Sequence, residues 1–139
     1  MRRRQRILFV CTGNSCRSQI AEAWANRLHG HSIEARSAGI VSSGMDPQTV
    51  GVMAEVGVDI AGNRSKPVST MGMETFDYVI TLSDCAREQL PPVLGSTRLF
   101  HAGFEAPSKS SLNVSPPSEV ETYRRVRDEI RVFVESLSL

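Results

Sequence analysis

A cysteine and an arginine six positions apart bound the segment of this chain that is best suited to chemistry. The loop begins at Cys11, ends at Arg17 and is followed by Ser18; it contains Thr12, Gly13, Asn14, Ser15 and Cys16. If it joins a strand to a helix, its amides can turn inward and the helix N-terminus adds partial positive charge. The planar guanidinium of Arg17 matches two oxygens of a tetrahedral anion. The pattern therefore predicts a thiolate at Cys11 that attacks a bound oxyanion.

The neighbours of Cys11 and Arg17 refine this hypothesis. Gly13 and Asn14 tolerate the left-handed backbone that such a loop needs, and Ser18 is placed to donate a hydrogen bond to the thiolate. The alternative interpretation is that Cys11 is an inert, buried thiol at the end of a strand. Cys16 also has two interpretations: it forms a reversible disulfide that protects Cys11, or it packs behind the loop.

Four runs of strand length predict the sheet that must hold this loop. An apolar run at residues 7–10 has the composition of a strand that is buried on both faces, and residues 76–82 are similar. Residues 32–37 and 97–100 complete the set. Helical patterns separate them, so we predict a doubly wound three-layer α/β sandwich around a central parallel sheet of roughly four strands.

Spacing and terminal residues locate the helices. One helix follows Ser18 and ends at Gly30; a second begins at Pro47, with Met53 and Ala54 facing inward. Asp84 is expected to cap a short third helix. Apolar residues from Val120 to Leu137 predict a long C-terminal helix, and the Ser- and Pro-rich residues 105–118 before it are expected to form a loop.

The topology places two candidate segments at one edge of the sheet. Ligands of doubly wound proteins bind at the carboxyl ends of the strands. Cys11 and the segment 83–85 both follow predicted strands, so they are expected to meet there. The length of 139 residues and the absence of an internal repeat predict a single domain over residues 1–139.

Composition limits the classes of partner. A net charge of +1 favours neither a nucleic acid nor a membrane, and no apolar run approaches the ~20 residues of a membrane span. An odd count of three cysteines fits reactive thiols in a reducing compartment better than a disulfide scaffold. We therefore expect a cytoplasmic protein.

The loop and its flanks resemble a known family. Residues 10–19, VCTGNSCRSQ, are similar to the signature of the low-molecular-weight protein tyrosine phosphatase superfamily, and most closely to its thioredoxin-type arsenate reductases. Similarity continues at residues 37–39, 55–60, 79–82 and 123–130. The resemblance implies the fold predicted above, no cofactor, and thioredoxin or glutaredoxin with glutathione as the reductant.

The thiols of this chain depart from the pattern of those reductases. The resemblance implies three thiols, the first attacking arsenate, the second displacing arsenite from the first sulfur and the third resolving the resulting disulfide. The usual positions of the redox pair are occupied here by Ser83 and Leu90, and only Cys85 lies in the segment. We expect Cys85 to be a single resolving cysteine that needs an external thiol. The alternative is that Cys85 is a small apolar side chain that packs in a helix.

A second departure concerns the general acid. The resemblance implies an aspartate directly before a proline, but Ala106 precedes Pro107 here. Glu105 is the candidate replacement, with a surface glutamate as the alternative. Loss of a general acid harms ester hydrolysis more than arsenate reduction, because an acid contributes roughly 10²–10⁴-fold to a rate that depends on the leaving group.

A cation site is also implied by some relatives. Asn14, Glu22 and Ser37 match positions that bind potassium in some arsenate reductases, but Arg64 lies where another oxygen ligand is expected. We therefore predict no metal.

Three functions remain open from the sequence. The first is reduction of arsenate through a disulfide, and the second is hydrolysis of protein phosphotyrosine through a phosphocysteine. The third is non-catalytic oxyanion binding, against which an intact Cys11 and Arg17 argue. Residues 40–44 contain no aromatic side chain to hold a phenyl ring, which disfavours the second function.

Overall fold

A computed structural model describes residues 4–71, 74–91, 98–107 and 116–138. Strands and helices alternate along these residues. The strands are β1 (Gln5–Cys11), β2 (Ile33–Gly39), β3 (Tyr78–Thr81) and β4 (Arg98–His101). The helices are α1 (Arg17–His29), α2 (Pro47–Glu55), α3 (Asp84–Gln89) and α4 (Pro116–Glu135), with a 3₁₀ turn at Val68–Met71.

The four strands form one parallel sheet in the order β2-β1-β3-β4. The chain therefore winds outward in both directions from the boundary between β1 and β3, where an open sheet of this kind forms its binding crevice. Cys11 pairs with Gly39 at the end of β1, and Val10 pairs with Thr81 at the end of β3. This register brings the loop after β1 beside the segment after β3, as the strand pattern predicted.

Strand β1 is buried on both faces, which explains its continuous apolar run. Ile7 and Phe9 lie in the core with α1, α2 and α4, whereas Leu8 and Val10 lie in a second cluster with α3 and the 3₁₀ turn. All four side chains are fully buried, and each contributes about 1.5–3 kcal/mol to folding. The two clusters on opposite faces of the sheet confirm the predicted three-layer sandwich.

Two predictions about the shorter helices were wrong. Ser83, not Asp84, caps α3: its backbone is extended and its Oγ accepts a hydrogen bond from Ala86 N at 3.1 Å. In α2, the buried residues are Thr49, Val52 and Met53, and Ala54 is exposed. Spacings of three and four define the buried face, and Ala54 falls outside that arc.

The described ends of residues 105–118, the segment expected to be a loop, include helical residues. Helix α4 begins at Pro116, inside the region expected to be a loop, because proline is well suited to the first turn of a helix. Pro107 is helical too, while residues 108–115 and Thr97 of the predicted fourth strand lie outside the described residues.

None of the helices in the described ranges combines the length and the apolar character that a membrane span needs.

Candidate active site

The backbone of the loop from Cys11 to Cys16 is oriented by hydrogen bonds to its carbonyl oxygens. Each of the six carbonyls accepts at least one such bond, with distances of 2.9–3.3 Å. In order, the donors are Ile40 N, Val41 N, Ser43 N with Ser65 Oγ, Gln19 Nε2, Asp46 N and Ile20 N.

Outward carbonyls turn the loop amides inward, because the C=O and N–H of a trans peptide point to opposite sides. Within the described part of the chain, no acceptor contacts the N–H groups of Thr12 to Cys16. The loop therefore has the form of an anion-binding nest, and it leads into the N-terminus of α1 at Arg17.

Two residues with unusual backbone requirements allow this loop to close. Asn14 has a φ of 52°, a left-handed conformation that asparagine tolerates better than most residues. Gly39, the β2 partner of Cys11, lies so close to the loop that a Cβ would be 2.7 Å from Asn14 N and 2.3 Å from Val41 O. A side chain at position 39 would therefore push the loop away from the sheet.

A chain of hydrogen bonds links the backbone of Lys66 to the sulfur of Cys11. Lys66 N donates to Asn14 Oδ1 at 2.8 Å, and since a backbone N–H can only donate, it fixes the orientation of the asparagine amide. Asn14 Nδ2 then donates to Ser18 Oγ at 2.8 Å. Ser18 Oγ keeps its own hydrogen, which it can donate to Cys11 Sγ at 2.8 Å when the sulfur is a thiolate.

Gln19 holds this chain in place from behind. Its side chain is fully buried, and Nε2 donates to Asn14 Oδ1 at 3.0 Å and to Arg64 O at 3.1 Å. Its Oε1 accepts from Asn63 Nδ2 at 3.1 Å. Sequence reasoning gave Gln19 no role of its own; the only signal was a polar residue in the first turn after the loop.

The C-terminal helix supports the loop from a further side, which sequence reasoning also missed. Tyr123 in α4 donates to Asp46 Oδ2 at 2.5 Å. Asp46 in turn caps α2 and donates its N–H to Ser15 O. Tyr123 is only 3 % exposed, so its ring also packs in the core.

Arg17 lies in the wall of an open pocket of about 470 Å³ above the loop. Its Nη1 donates to Phe104 O at 3.1 Å, and no carboxylate among the described residues pairs with its guanidinium. Most of its donors are therefore available to an anion. The described lining residues are Thr12, Arg17, Ser83, Asp84, Cys85, Gly103, Phe104, Glu105 and Ala106.

The three cysteines have different surroundings. Cys11 is 2 % exposed at the base of the loop, while Cys85 is partly exposed and lines the pocket together with Arg17. Burial raises the pKa of the Cys16 thiol to about 12, so Cys16 stays protonated at neutral pH. Its surroundings favour packing behind the loop over disulfide exchange, since exchange needs a thiolate.

The two carboxylates among the described pocket residues both contact cations. Glu105 forms an ion pair with Arg125, which also pairs with Glu129. Asp84 Oδ1 lies 3.4 Å from His101 Nε2 and 3.5 Å from Arg87 Nη2. Glu105 is thus directed towards α4, and Ala106, at the expected position of the acid, supplies no proton donor.

The oxygens of the possible cation site have partners within the protein. Asn14 Oδ1 accepts from Lys66 N and Gln19 Nε2, and Glu22 Oε1 accepts from Ser37 Oγ at 2.7 Å. Among the described residues, no group of three or more His, Cys, Asp or Glu side chains could hold a metal ion.

A thiol beneath an inward-facing amide loop, with an available arginine at a helix start, defines an enzyme site for a tetrahedral oxyanion on a doubly wound fold. The chain belongs to the low molecular weight phosphotyrosine protein phosphatase family, whose model matches residues 6–138. The resemblance drawn from residues 10–19 is thereby confirmed.

Similar proteins carry names from both branches of this family. The chain is 38% identical over 130 residues to arsenate reductase 2 of Staphylococcus epidermidis, covering 94% of this chain and 93% of the relative. A solved arsenate reductase in its oxidized state has a TM-score of 0.79 and 33% identity over 96% of this chain and 95% of its own. A low molecular weight protein tyrosine phosphatase from T. tengcongensis has a TM-score of 0.73 and 25% identity, and the match covers 94% of this chain and 95% of the phosphatase.

Proposed function

We propose that this protein reduces arsenate to arsenite, with Cys11 as nucleophile, Arg17 as anion clamp and Cys85 as resolving thiol. The loop from Thr12 to Cys16 binds the oxyanion through its amides, and Ser18 stabilises the thiolate of Cys11. Glu105 is not assigned a role in this reaction, because its carboxylate contacts Arg125.

The proposed reaction has two displacements. The Cys11 thiolate attacks arsenic(V), an As–O bond breaks, and the departing oxygen leaves with its electron pair as hydroxide, which is released to the solvent. The Cys85 thiolate then attacks the Cys11 sulfur, so that an S–S bond forms and the S–As bond breaks. The electron pair of that bond remains on arsenic, which leaves as arsenite. An external thiol system, either thioredoxin or glutaredoxin with glutathione, returns two electrons to the disulfide.

One observation carries the choice of reductase over phosphatase: Cys85 and Arg17 line the same pocket. A second thiol beside the bound anion has a purpose in arsenate reduction and none in ester hydrolysis. The names of the relatives at 35–38% identity support the same choice.

Phosphatase activity is the second candidate, because the arrangement of Cys11, Ser18 and Arg17 would equally form a phosphocysteine. Phosphatase activity would also need a general acid to protonate the leaving group, and the expected acid is absent here. Ala106 occupies the expected position of the acid, so any hydrolysis is expected to be confined to good leaving groups, with protein phosphotyrosine a poor substrate.

A side-by-side assay tests the choice. Arsenite release is measured with thioredoxin and with glutaredoxin plus glutathione, and hydrolysis of 4-nitrophenyl phosphate is measured on the same preparation. We expect arsenite release with one reductant, and its loss by at least about a hundredfold in Cys85→Ala, since a resolving thiol takes part directly in bond formation.

The aryl phosphate assay is the control for Cys85→Ala, because the hydrolysis requires no second thiol. If Cys85→Ala releases arsenite as fast as the wild type, Cys85 has no resolving role. If the wild type releases none but hydrolyses the ester, the phosphatase candidate replaces the reductase.

A further inference from the structure

Two hydroxyl groups in the pocket wall are hydrogen-bonded to each other, and one of their two O–H hydrogens has no acceptor among the described residues. Thr12 Oγ1 and Ser83 Oγ are joined by a hydrogen bond of 3.1 Å, which links the anion loop to the start of α3. Ser83 Oγ also accepts a bond of 3.1 Å from Ala86 N. Both residues line the pocket that contains Arg17 and Cys85.

The pair of hydroxyls has one O–H that is available to a ligand. If Thr12 donates to Ser83, both lone pairs of Ser83 Oγ are used, and its own hydrogen has no acceptor among the described residues. If Ser83 donates instead, the hydrogen of Thr12 is the one left over. In either arrangement one O–H remains for a ligand in the pocket.

The direction of attack places the leaving oxygen on the pocket side of the anion. Cys11 is 2 % exposed beneath the loop, and an in-line displacement puts the leaving oxygen opposite the attacking sulfur. That oxygen gains negative charge as its bond breaks. It does so in a pocket whose expected acid position is Ala106 and whose Glu105 is engaged by Arg125.

We propose that the Thr12–Ser83 hydroxyl pair donates a hydrogen bond to the leaving oxygen and so performs part of the task of the missing acid. The proposal rests on the proposed function and names further catalytic residues for it. The S–As bond forms, the As–O bond breaks, and the oxygen keeps its electron pair while the hydroxyl stabilises it. The hydroxyl keeps its proton, and the departing hydroxide is released to the solvent.

The test compares Thr12→Val, Ser83→Ala and the double variant with the wild type. Ser136→Ala is the matched control, because its exposed hydroxyl at the end of α4 donates to Phe133 O, away from the pocket. Two quantities are measured: kcat for arsenite release, and the inhibition constant of inorganic phosphate, which reports binding of the ground-state anion.

We expect kcat to fall about tenfold to hundredfold in the double variant, because both hydroxyls, and with them the donor to the developing charge, are lost. The phosphate inhibition constant should stay within about twofold, because the leaving oxygen carries its charge only in the transition state. Each single variant should lose less rate than the double variant, because the hydroxyl that remains keeps an O–H with no acceptor among the described residues. Ser136→Ala should match the wild type in both quantities.

Two results would overturn the proposal: unchanged kcat in the double variant, or a phosphate inhibition constant that rises in proportion to the loss of rate. If the wild type releases no arsenite, the proposed function fails separately. The variants are then compared on 4-nitrophenyl and phenyl phosphate. A greater loss on phenyl phosphate, the poorer leaving group, supports the pair, and an equal loss or no turnover of either ester contradicts it.

Discussion

Replacing Cys11 with serine is expected to lower turnover by at least about a thousandfold, since loss of a catalytic nucleophile removes the bond-forming atom. The geometry explains why serine cannot substitute. Ser18 Oγ lies 2.8 Å from Cys11 Sγ, where it can donate to a thiolate, whereas an alkoxide at position 11 would need far more stabilisation than one hydrogen bond supplies. The measurement is the rate of arsenite release and of aryl phosphate hydrolysis.

The serine variant should still bind the anion, because the amides of residues 12–17 and the guanidinium of Arg17 are unchanged. The readout is the rise in melting temperature with added phosphate, which follows from binding to the folded state alone. A variant that keeps the phosphate-induced rise but loses turnover has lost chemistry and not the fold. Retention of more than about a hundredth of the wild-type rate would show that Cys11 is not the nucleophile.

Arg17→Lys is expected to weaken both anion binding and turnover. Lysine keeps the positive charge but loses the planar fork, so one of two parallel contacts to the oxyanion is lost. We expect kcat/KM to fall about 10²–10³-fold, the range found when one preorganised donor to an oxyanion is removed. Phosphate affinity should fall about tenfold, which corresponds to one charge-assisted hydrogen bond.

Arg36→Lys is the matched control for this change. Arg36 is exposed on β2 and its guanidinium pairs with Glu34 at 3.3 Å, so the same substitution there tests a general effect of losing an arginine. Phosphate affinity and turnover should be unchanged in that variant. Unchanged phosphate affinity together with normal turnover in Arg17→Lys would remove Arg17 from the site.

The part of the site that could be predicted from sequence is the part encoded in local spacing. Cys11, Arg17 and Ser18 lie within one strand–loop–helix unit, so the relation of Ser18 to the sulfur followed from the chain itself. The β1 run at residues 7–10 likewise predicted a strand buried on both faces, and hence the doubly wound sheet.

The part that could not be predicted depends on contacts between distant segments. Lys66 N donates directly to Asn14 Oδ1, and Asn63 donates to Gln19, which also contacts Asn14. Both donors are more than 40 residues away in sequence from the residues they contact. The spacing of residues along the sequence does not indicate such contacts between distant segments. The pairing of Glu105 with Arg125 is similar, because it depends on how α4 packs beside the pocket.

The sequence did not predict the first residue of α3 correctly, because two neighbouring residues are equally suitable as its cap. Ser83 and Asp84 are both good helix caps by type, and only the extended backbone of Ser83 assigns the cap to it. This matters for function, because the capping hydroxyl of Ser83 is also the group that contacts Thr12 in the pocket wall.

A single turnover without external reductant shows whether Cys11 and Cys85 together reduce arsenate. Reduced protein is mixed with excess arsenate, then arsenite is quantified and disulfides are mapped by mass spectrometry. We expect one arsenite per chain and a disulfide between Cys11 and Cys85, which requires their Cα atoms to lie within about 7 Å of each other when the bond forms. No arsenite, or arsenite released while Cys85 remains a free thiol, would contradict it.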